Sequence, residues 1–565
     1  MKNVSKYERQ YFMPPVTCNK WAAKSYIAKA PDWCSVDLRD GNQALINPMS
    51  FDEKLLFWNK LLQIGFKEIE IGFPAASETE RLFCRHLIEN NLIPDGVAIQ
   101  ALTQARPQII EQTYQALADA PNAVIHFYNS VSRAQREQVF RKDKPAIVKI
   151  ATDGAKLVKE YAAKYPGNYR FQYSPESFTG AEPEFSLEIC NEVLHILEPS
   201  KNNNVIINLP VTVETSSPHV YASQVEYVSE RLYKREFVTL SLHPHNDRGT
   251  GVACAELGLL AGGDRIEGTL FGNGERTGNV DIITLAMNMY SQGVSPGIDL
   301  SDMPGIVRFY ESVTGFKVSP RHPYCGELVF AAFSGSHQDA IAKGMECRNA
   351  LGDSAKWTVP YLPIDPSDVG RKYDSDVIRI NSQSGKGGVA HILSRGYGID
   401  VPPQMRALVG YAVKDVSDVK HRELSPEEVY GIFTEKFVNV TKNSDGKPLY
   451  VLKSCHYKQE EHGRFTATAK YSFGNRDCVA GGTGNGRLDA LCVALRGSVS
   501  DTRYRKFNIV DYVESSLGKG STSRAQAYVQ IQDGNGAVSW GAGIDTDIVK
   551  AADFALFSAL NRLGE

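Results

Sequence analysis

None of the ten cysteines in this 565-residue chain belongs to a C-x-x-C pair. That argues against a thiolate zinc site or a disulfide framework and predicts free thiols in a reducing compartment. No apolar run approaches the ~18–20 residues of a membrane span. The opening stretch, M-K-N-V-S-K-Y-E-R-Q-Y, lacks the apolar core of a signal peptide and carries an acid that a transit peptide avoids. Neither sign of charge is in excess: 62 Lys and Arg stand against 65 Asp and Glu, a formal net charge of −3. There is thus no electrostatic footprint for nucleic acid or an anionic membrane. The expectation is a soluble, cytoplasmic protein with neither kind of partner.

A G-x-G-x-x-G turn after the first strand is also missing, which weakens a doubly wound open sheet as the architecture. What is present from residue 33 onward is a β/α alternation. The strand segments are W-C-S-V-D-L (33–38), K-E-I-E-I-G-F (67–73), G-V-A-I-Q-A-L (96–102), A-V-I-H-F-Y (123–128), Y-R-F-Q-Y-S (169–174), N-V-I-I-N-L (204–209), F-V-T-L-S-L (237–242) and D-R-I-E-G-T-L (264–270). Helical patterns such as 51–64, 78–91 and 217–234 lie between them. Eight strand–helix units in about 270 residues are the count and length of a (β/α)8 TIM barrel. A chain this long calls for two to four domains. The expected division is an N-terminal extension (1–30), the α/β barrel (31–305), a mixed, mostly helical linker region (306–436) and a C-terminal α+β regulatory domain (437–565).

Barrel active sites sit at the C-terminal ends of the strands, and the polar residues of note cluster there. Arg39 and Asp40 follow the first strand, Ser174 and Glu176 the fifth, Thr212 the sixth, His243 and His245 the seventh, Asn273 and Asn279 the eighth. Residues i and i+2 of a strand face the same way, so the two imidazoles of H-P-H converge. An isolated H-x-H is more often a surface pair. The turn D-L-R-D-G-N-Q at 37–43 reverses that balance by supplying a carboxylate. Two His and one Asp form a mixed N/O donor set for a divalent ion, with positions left open as in catalytic sites. A 2-oxo acid could chelate such an ion, with Arg39 placed to stabilise the developing alkoxide. The plain alternative for Arg39 is a structural ion pair with Asp37 or Glu70.

Beyond residue 305 the alternation stops. W-T-V-P-Y-L-P-I-D-P reads as a rigid connector, and S-G-K-G-G within N-S-Q-S-G-K-G-G does not fit the phosphate-loop pattern. The last 130 residues or so hold a weak duplication, F-T-A-T-A-K-Y-S-F-G-N-R-D-C-V-A-G-G-T-G-N-G-R-L-D-A-L against A-Y-V-Q-I-Q-D-G-N-G-A-V-S-W-G-A-G-I-D-T-D-I-V-K-A-A. Each copy reads as strand, turn, strand, glycine pair and helix. Such glycines admit a ligand or a second backbone close to free N–H groups, or simply allow tight packing between the copies.

Together, D-L-R-D-G-N-Q, H-P-H-N-D-R-G-T-G and G-N-G-E-R-T-G-N-V-D resemble the metal-dependent Claisen-condensing and lyase barrels. That family includes 2-isopropylmalate, homocitrate and citramalate synthases and hydroxymethylglutaryl-CoA lyase. Y-S-P-E-S-F, N-L-P-V-T-V-E, F-S-G-S-H-Q-D-A and V-P-Y-L-P-I-D-P resemble the longer type of 2-isopropylmalate synthase from about residue 14 to the end.

The resemblance implies an acyltransferase that condenses acetyl-CoA with 3-methyl-2-oxobutanoate and water to (2S)-2-isopropylmalate and CoA, the first committed step of leucine biosynthesis. It implies Mg2+ as the divalent metal, with Mn2+ or Zn2+ as alternatives, a monovalent cation such as K+, and a homodimer. By motif, Asp40, His243 and His245 would bind the metal, with Asn279 as a further ligand or close neighbour. Arg39, Glu176, His337 and Tyr361 would be catalytic, the last two reaching the partner subunit's site. Leu102, His126, Ser174, Asn208 and Pro210 would line a small, mostly apolar 2-oxo acid pocket, with Thr212 holding the substrate carboxylate. Gly484, Asn485 and Gly486 would line a site for L-leucine as effector, although Arg487 and Asp489 bring unexpected charge beside it. The rivals are a citramalate or homocitrate synthase, a lyase running the chemistry backwards, and a non-catalytic amino-acid sensor. The duplicated domain argues against the lyase, and the intact metal set against the sensor.

Overall fold

The computed structural model describes residues 3–563 except 333, 353–354, 374–385, 421–423, 442–448, 499–504 and 518–522. Residues 381–385 of the N-S-Q-S-G-K-G-G segment therefore lie outside the described residues. The chain forms two compact units, residues 1–330 with 364–372, and residues 331–363 with 373–565.

The first unit contains a closed parallel barrel in sequential order. Its strands are β1 Asp32–Ser35, β2 Glu68–Gly72, β3 Ala98–Gln104, β4 Ala120–Ser130, β5 Gly167–Glu176, β6 Val205–Val211, β7 Val238–Pro244 and β8 Arg265–Gly268. Pairing of Asp32 through Ser35 with Arg265 through Gly268 closes it. The barrel helices are α1 Phe51–Ile64, α2 Glu78–Glu89, α3 Pro107–Leu117, α4 Lys144–Lys164, α5 Pro183–Leu197, α6 Pro218–Ser229, α7 Gly251–Leu260 and α8 Ile282–Tyr290. Their ends follow local chemistry. Ser50 and Glu53 form a reciprocal capping box at the start of α1, and Gly65 at φ 106° ends it in the left-handed conformation.

All eight expected strands are present, and the expected helix over 51–64 matches its observed bounds. The first strand is shorter than its sequence predicts. Asp37–Gly41 leaves the sheet as a wide helical turn, because the buried Asp37 carboxylate accepts the Leu270 backbone N–H (3.1 Å) and the Ser35 hydroxyl (2.8 Å). That turn brings Arg39 and Asp40 to the barrel mouth.

Period-2 alternation sorts the strands into two faces. Ile99, Ala101, Ile125, Phe127, Ile207, Leu209, Leu240 and Leu242 alternate with a second set and are buried. The second set meets in the barrel interior: Ala98, Val124 and Ile206 form a small apolar cluster, while Gln100, Gln172, Arg265 and Glu267 hydrogen-bond to one another.

α9 (Met303–Thr314) completes the helices of the first unit described here. The second unit holds α10 (Gly335–Leu351), α11 (Lys386–Tyr397), α12 (Arg406–Lys420), α13 (Pro426–Phe437), and then two three-stranded antiparallel sheets, each with its helix. One sheet is β9 (Tyr450–Gln459), β10 (Phe465–Phe473) and β11 (Arg476–Gly484), followed by α14 (Arg487–Ser498). The other is β12 (Asn508–Leu517), β13 (Arg524–Gln532) and β14 (Val538–Asp545), followed by α15 (Ile548–Arg562).

The duplication is therefore structural, and its glycine pairs serve the second backbone. A Cβ on Gly482 would lie 2.3 Å from Ala494 N, one on Gly484 2.4 Å from Ala490 N, one on Gly541 2.1 Å from Ala559 N, and one on Gly543 1.9 Å from Ala551 O. Each pair packs against the helix of its own copy. Gly486 alone of the T-G-N-G turn has open space where a side chain would stand.

Candidate active site

Asp40, on the turn after β1, and His243 and His245, at the end of β7, are all buried, with candidate ligand atoms within 4.8 Å of one another. Asp40 Oδ2 is 3.2 Å from His243 Nε2 and 3.5 Å from His245 Nε2. Asn279 joins them through a backbone bridge to His245. Its amide nitrogen donates to the Asn273 carbonyl at 2.9 Å, while its Oδ1 is buried without a hydrogen-bond partner. Two imidazoles and a carboxylate this close together fit a divalent cation, and a buried, unsatisfied oxygen on the neighbouring Asn279 is a further candidate donor.

Burial opposes ionisation of Asp40, but the Arg39 guanidinium and both imidazoles outweigh it and hold the carboxyl well below its ordinary range. Burial alone would depress the His243 imidazole, yet hydrogen bonds to Asp40 and Glu267 raise it to about 9. His245 goes down to about 4, through burial first and the neighbouring His243 charge second.

Arg39 is held by Glu70 (Nε to Oε2, 2.5 Å) and touches Asp40 (Nη1 to Oδ1, 3.0 Å). Of the two carboxylates considered for it, Glu70 is the partner. The ion pair does not remove Arg39 from the site, since Arg39 also lines the adjoining cavity of about 220 Å³. Every sequence-assigned barrel residue except Asn279 lines that cavity: Arg39, Asp40, Leu102, His126, Ser174, Glu176, Asn208, Pro210, Thr212, His243 and His245.

The cavity floor is less apolar than expected. His126 Nδ1 donates to Glu70 Oε1 (2.7 Å), its Nε2 meets Ser174 Oγ (2.7 Å), and Asn208 Nδ2 donates to that hydroxyl (3.0 Å). Glu176 accepts from Ser130, from Gln135 Nε2 (3.3 Å) and from Ser177 Oγ (3.1 Å). The Thr212 hydroxyl oxygen accepts the Ser177 N–H (2.9 Å), which leaves its own proton free to donate.

Sequence reasoning missed Gln43, Tyr128, Glu275 and Arg276, which line the same cavity. Gln43 Nε2 donates to Glu275 Oε1 at 2.8 Å, and Arg276 spans from Asp247 (2.7 Å) to the Thr212 carbonyl (2.5 Å). Glu275 and Arg276 lie inside G-N-G-E-R-T-G-N, so their position in that turn was an available signal.

His337 and Tyr361 belong to the second unit. Their rings stack at 4.1 Å and 23°, and Tyr361 is exposed with φ 64°. In the T-G-N-G turn, the Asn485 N–H donates to Asp489 Oδ2 (2.8 Å) and Arg487 lies over the Phe465 ring (5.4 Å). The two charges that departed from expectation are thus engaged locally.

The barrel and its His–Asp cluster define an enzyme of the hydroxymethylglutaryl-CoA-lyase-like class, whose family model matches residues 30–309. The alpha-isopropylmalate synthase post-catalytic domain-like model matches residues 327–394, and the LeuA allosteric (dimerisation) domain model matches 423–564. A 2-isopropylmalate synthase of Helicobacter hepaticus is 56% identical over 99% of this chain and 99% of its own. That of Desulfitobacterium hafniense is 55% identical over all of this chain and 99% of its own, and that of Brucella suis 48% identical over 97% of both. The chain belongs to the 2-isopropylmalate synthase family. Among solved structures, a hydroxymethylglutaryl-CoA lyase from Pseudomonas aeruginosa is similar over 52% of this chain and 97% of its own, with 16% identity and a TM-score of 0.44. No helix among the described residues is long and apolar enough to cross a membrane.

With His243 raised to about 9 and His245 lowered to about 4, the metal-free protein carries one extra proton at pH 7, on His243. A divalent ion must displace it. Titration calorimetry of Mn2+ into chelator-treated protein, in buffers of different ionisation enthalpy, should therefore show release of about one proton at pH 7. Affinity should rise with pH and level off near pH 9. His245→Ala should lose turnover while keeping its fold. Proton-independent binding, or a fully active chelated enzyme, would refute the metal assignment.

Proposed function

We propose that this chain condenses acetyl-CoA with 3-methyl-2-oxobutanoate and water, giving (2S)-2-isopropylmalate and CoA, the first committed step of leucine biosynthesis in the cytoplasm. The observation that carries this reading is the buried Asp40–His243–His245 cluster beside the small cavity, in a chain 56% identical to a 2-isopropylmalate synthase along 99% of its length.

Asp40, His243, His245 and Asn279 would hold the divalent ion, Mg2+ by preference over Mn2+ or Zn2+, with K+ as an accessory cation. When bound, the ion supplies Lewis-acid polarisation of the substrate ketone. Arg39, fixed by Glu70, points its remaining donors at the cavity, where they meet the charge that develops on the ketone oxygen. The free Thr212 hydroxyl proton suits the substrate carboxylate. Leu102, Pro210 and Tyr128 wall the space for the branched side chain. Loss of a methyl proton from acetyl-CoA makes an enolate that attacks the ketone carbon, and water then hydrolyses the thioester. Glu176 in this subunit and the stacked His337–Tyr361 pair from the partner of a homodimer would manage that proton. The left-handed backbone of exposed Tyr361 suits a functional position, where such strain is retained. Leucine would bind at the open side of the Gly484–Gly486 turn as feedback effector.

Free-CoA release with 3-methyl-2-oxobutanoate, pyruvate and 2-oxoglutarate tests the assignment. The first should give the highest kcat/KM, and a preference for pyruvate would make the chain a citramalate synthase instead. His337→Ala should lower kcat by roughly 10²–10⁴-fold, the range for a positioned acid or base, with 2-oxo acid binding little changed. A rise confined to the KM for acetyl-CoA would make it a CoA-binding residue. Because Gly486 faces open space, Gly486→Trp should fold and turn over normally yet lose leucine inhibition. Equal inhibition of variant and parent would place the effector elsewhere.

A further inference from the structure

Glu267 stands in no sequence motif assigned above. It is fully buried on β8 and takes five donated hydrogen bonds, divided between its two oxygens. Oε1 accepts from Arg265 Nη1 (2.8 Å), Gln100 Nε2 (2.8 Å) and Gln172 Nε2 (2.7 Å). Oε2 accepts from His243 Nδ1 (2.8 Å) and Asn208 Nδ2 (3.1 Å). One oxygen braces the barrel interior, and the other faces the metal cluster and the cavity floor.

We infer that Glu267 is a positioning residue for the metal site, locking the His243 ring and tautomer so that its Nε2 lone pair faces Asp40 and the bound ion. A carboxylate can only accept, so His243 Nδ1 must carry the proton of the neutral ring, which leaves Nε2 bare. Nε2 is the atom 3.2 Å from Asp40 Oδ2. The same oxygen binds Asn208, which reaches Ser174 Oγ (3.0 Å), so ring orientation and cavity floor share one anchor.

This inference rests on the reading of Asp40, His243 and His245 as metal ligands. Glu267→Gln tests it directly. Three donors meet at Oε1 and two at Oε2, so the new amide keeps its oxygen toward Arg265, Gln100 and Gln172. Its NH2 then faces His243 Nδ1, which must become the acceptor, and the proton moves to Nε2, where it blocks ligation.

In full-length, chelator-stripped protein titrated with Mn2+ alone, Glu267→Gln should raise the Kd about 10–100-fold, the usual loss when such a supporting partner is removed. Melting temperature serves as the control for folding. Glu267→Asp keeps the charge opposite Arg265 while withdrawing it by one methylene from His243. It should weaken Mn2+ binding too, and it decides the matter if the Gln variant does not fold. Gln172→Met cuts a bond to the other oxygen alone and should leave the Kd unchanged. Folded variants at position 267 that bind Mn2+ like the parent overturn the inference, as does a Gln172→Met loss equal to that of Glu267→Gln. A parent that binds no Mn2+ instead overturns the metal reading beneath it.

Discussion

A charged layer sealed inside the barrel supports the reactive groups at its mouth. Arg265, fully buried, donates to Glu68 (2.5 Å), Ser241 (2.8 Å), Glu267 (2.8 Å) and Gln100 (2.8 Å). Burial by itself would push the carboxyls of Glu267 and Glu70 up. Arg265 and His243 reverse this for Glu267, and Arg39 and His126 for Glu70, so both are held down as carboxylates. Such a layer is costly to desolvate and gains its value from complete pairing; breaking one buried partner costs about 3–5 kcal/mol. Gln100 Nε2 bridges the two carboxylates, at 3.0 Å from Glu70 and 2.8 Å from Glu267. Arg39 and His126 hang from the first, His243 and Asn208 from the second. The layer thus sets the geometry of Arg39, the cavity floor and His243 together.

This arrangement also leaves the polar cavity floor able to accept an apolar group. His126 spends one ring nitrogen on Glu70 and the other on Ser174, and Ser174 is further engaged by Asn208. Polar groups satisfied by one another incur no new desolvation penalty when an apolar group covers them. Thr212, whose hydroxyl oxygen accepts the Ser177 N–H and leaves its own proton to donate, is the contrasting case.

The barrel was legible because alternation of apolar and polar positions repeats in eight strands with helices between, and because the site residues follow strand ends. The supporting layer was not legible. A Glu or Arg in a strand reads the same whether it faces solvent or a sealed interior, and only closure of β8 onto β1 decides which. D-R-I-E-G carried a weak signal, since Arg265 and Glu267 sit at i and i+2 around a buried Ile266. The end of β1 was misread for a related reason. V-D-L has strand character, but the Asp37 carboxylate captures the Leu270 N–H at 3.1 Å, a contact 233 residues away along the chain. His337 and Tyr361 are suggested by motif alone, since nothing in spacing or periodicity marks them.

In the second unit, β13 and β14 are buried on both faces, whereas β12 at the sheet edge is not. Ala527, Val529 and Ile531 pack toward α14 and α15, while Tyr528, Trp540, Ala542 and Ile544 pack against α11–α13. A sheet covered on both sides must let its helix approach closely on at least one, and Gly541 and Gly543 provide that approach, as Gly482 and Gly484 do in the first copy. The T-G-N-G turn therefore contains two kinds of glycine. The space beside Gly484 is filled by the backbone of α14 and the Asp489 carboxylate, and that carboxylate closes the turn by accepting the Asn485 N–H. On the Gly486 side, by contrast, an added Cβ would meet nothing within 4 Å. Asp489, which as a bare charge looked hostile to a ligand, is already spent on holding the turn in shape.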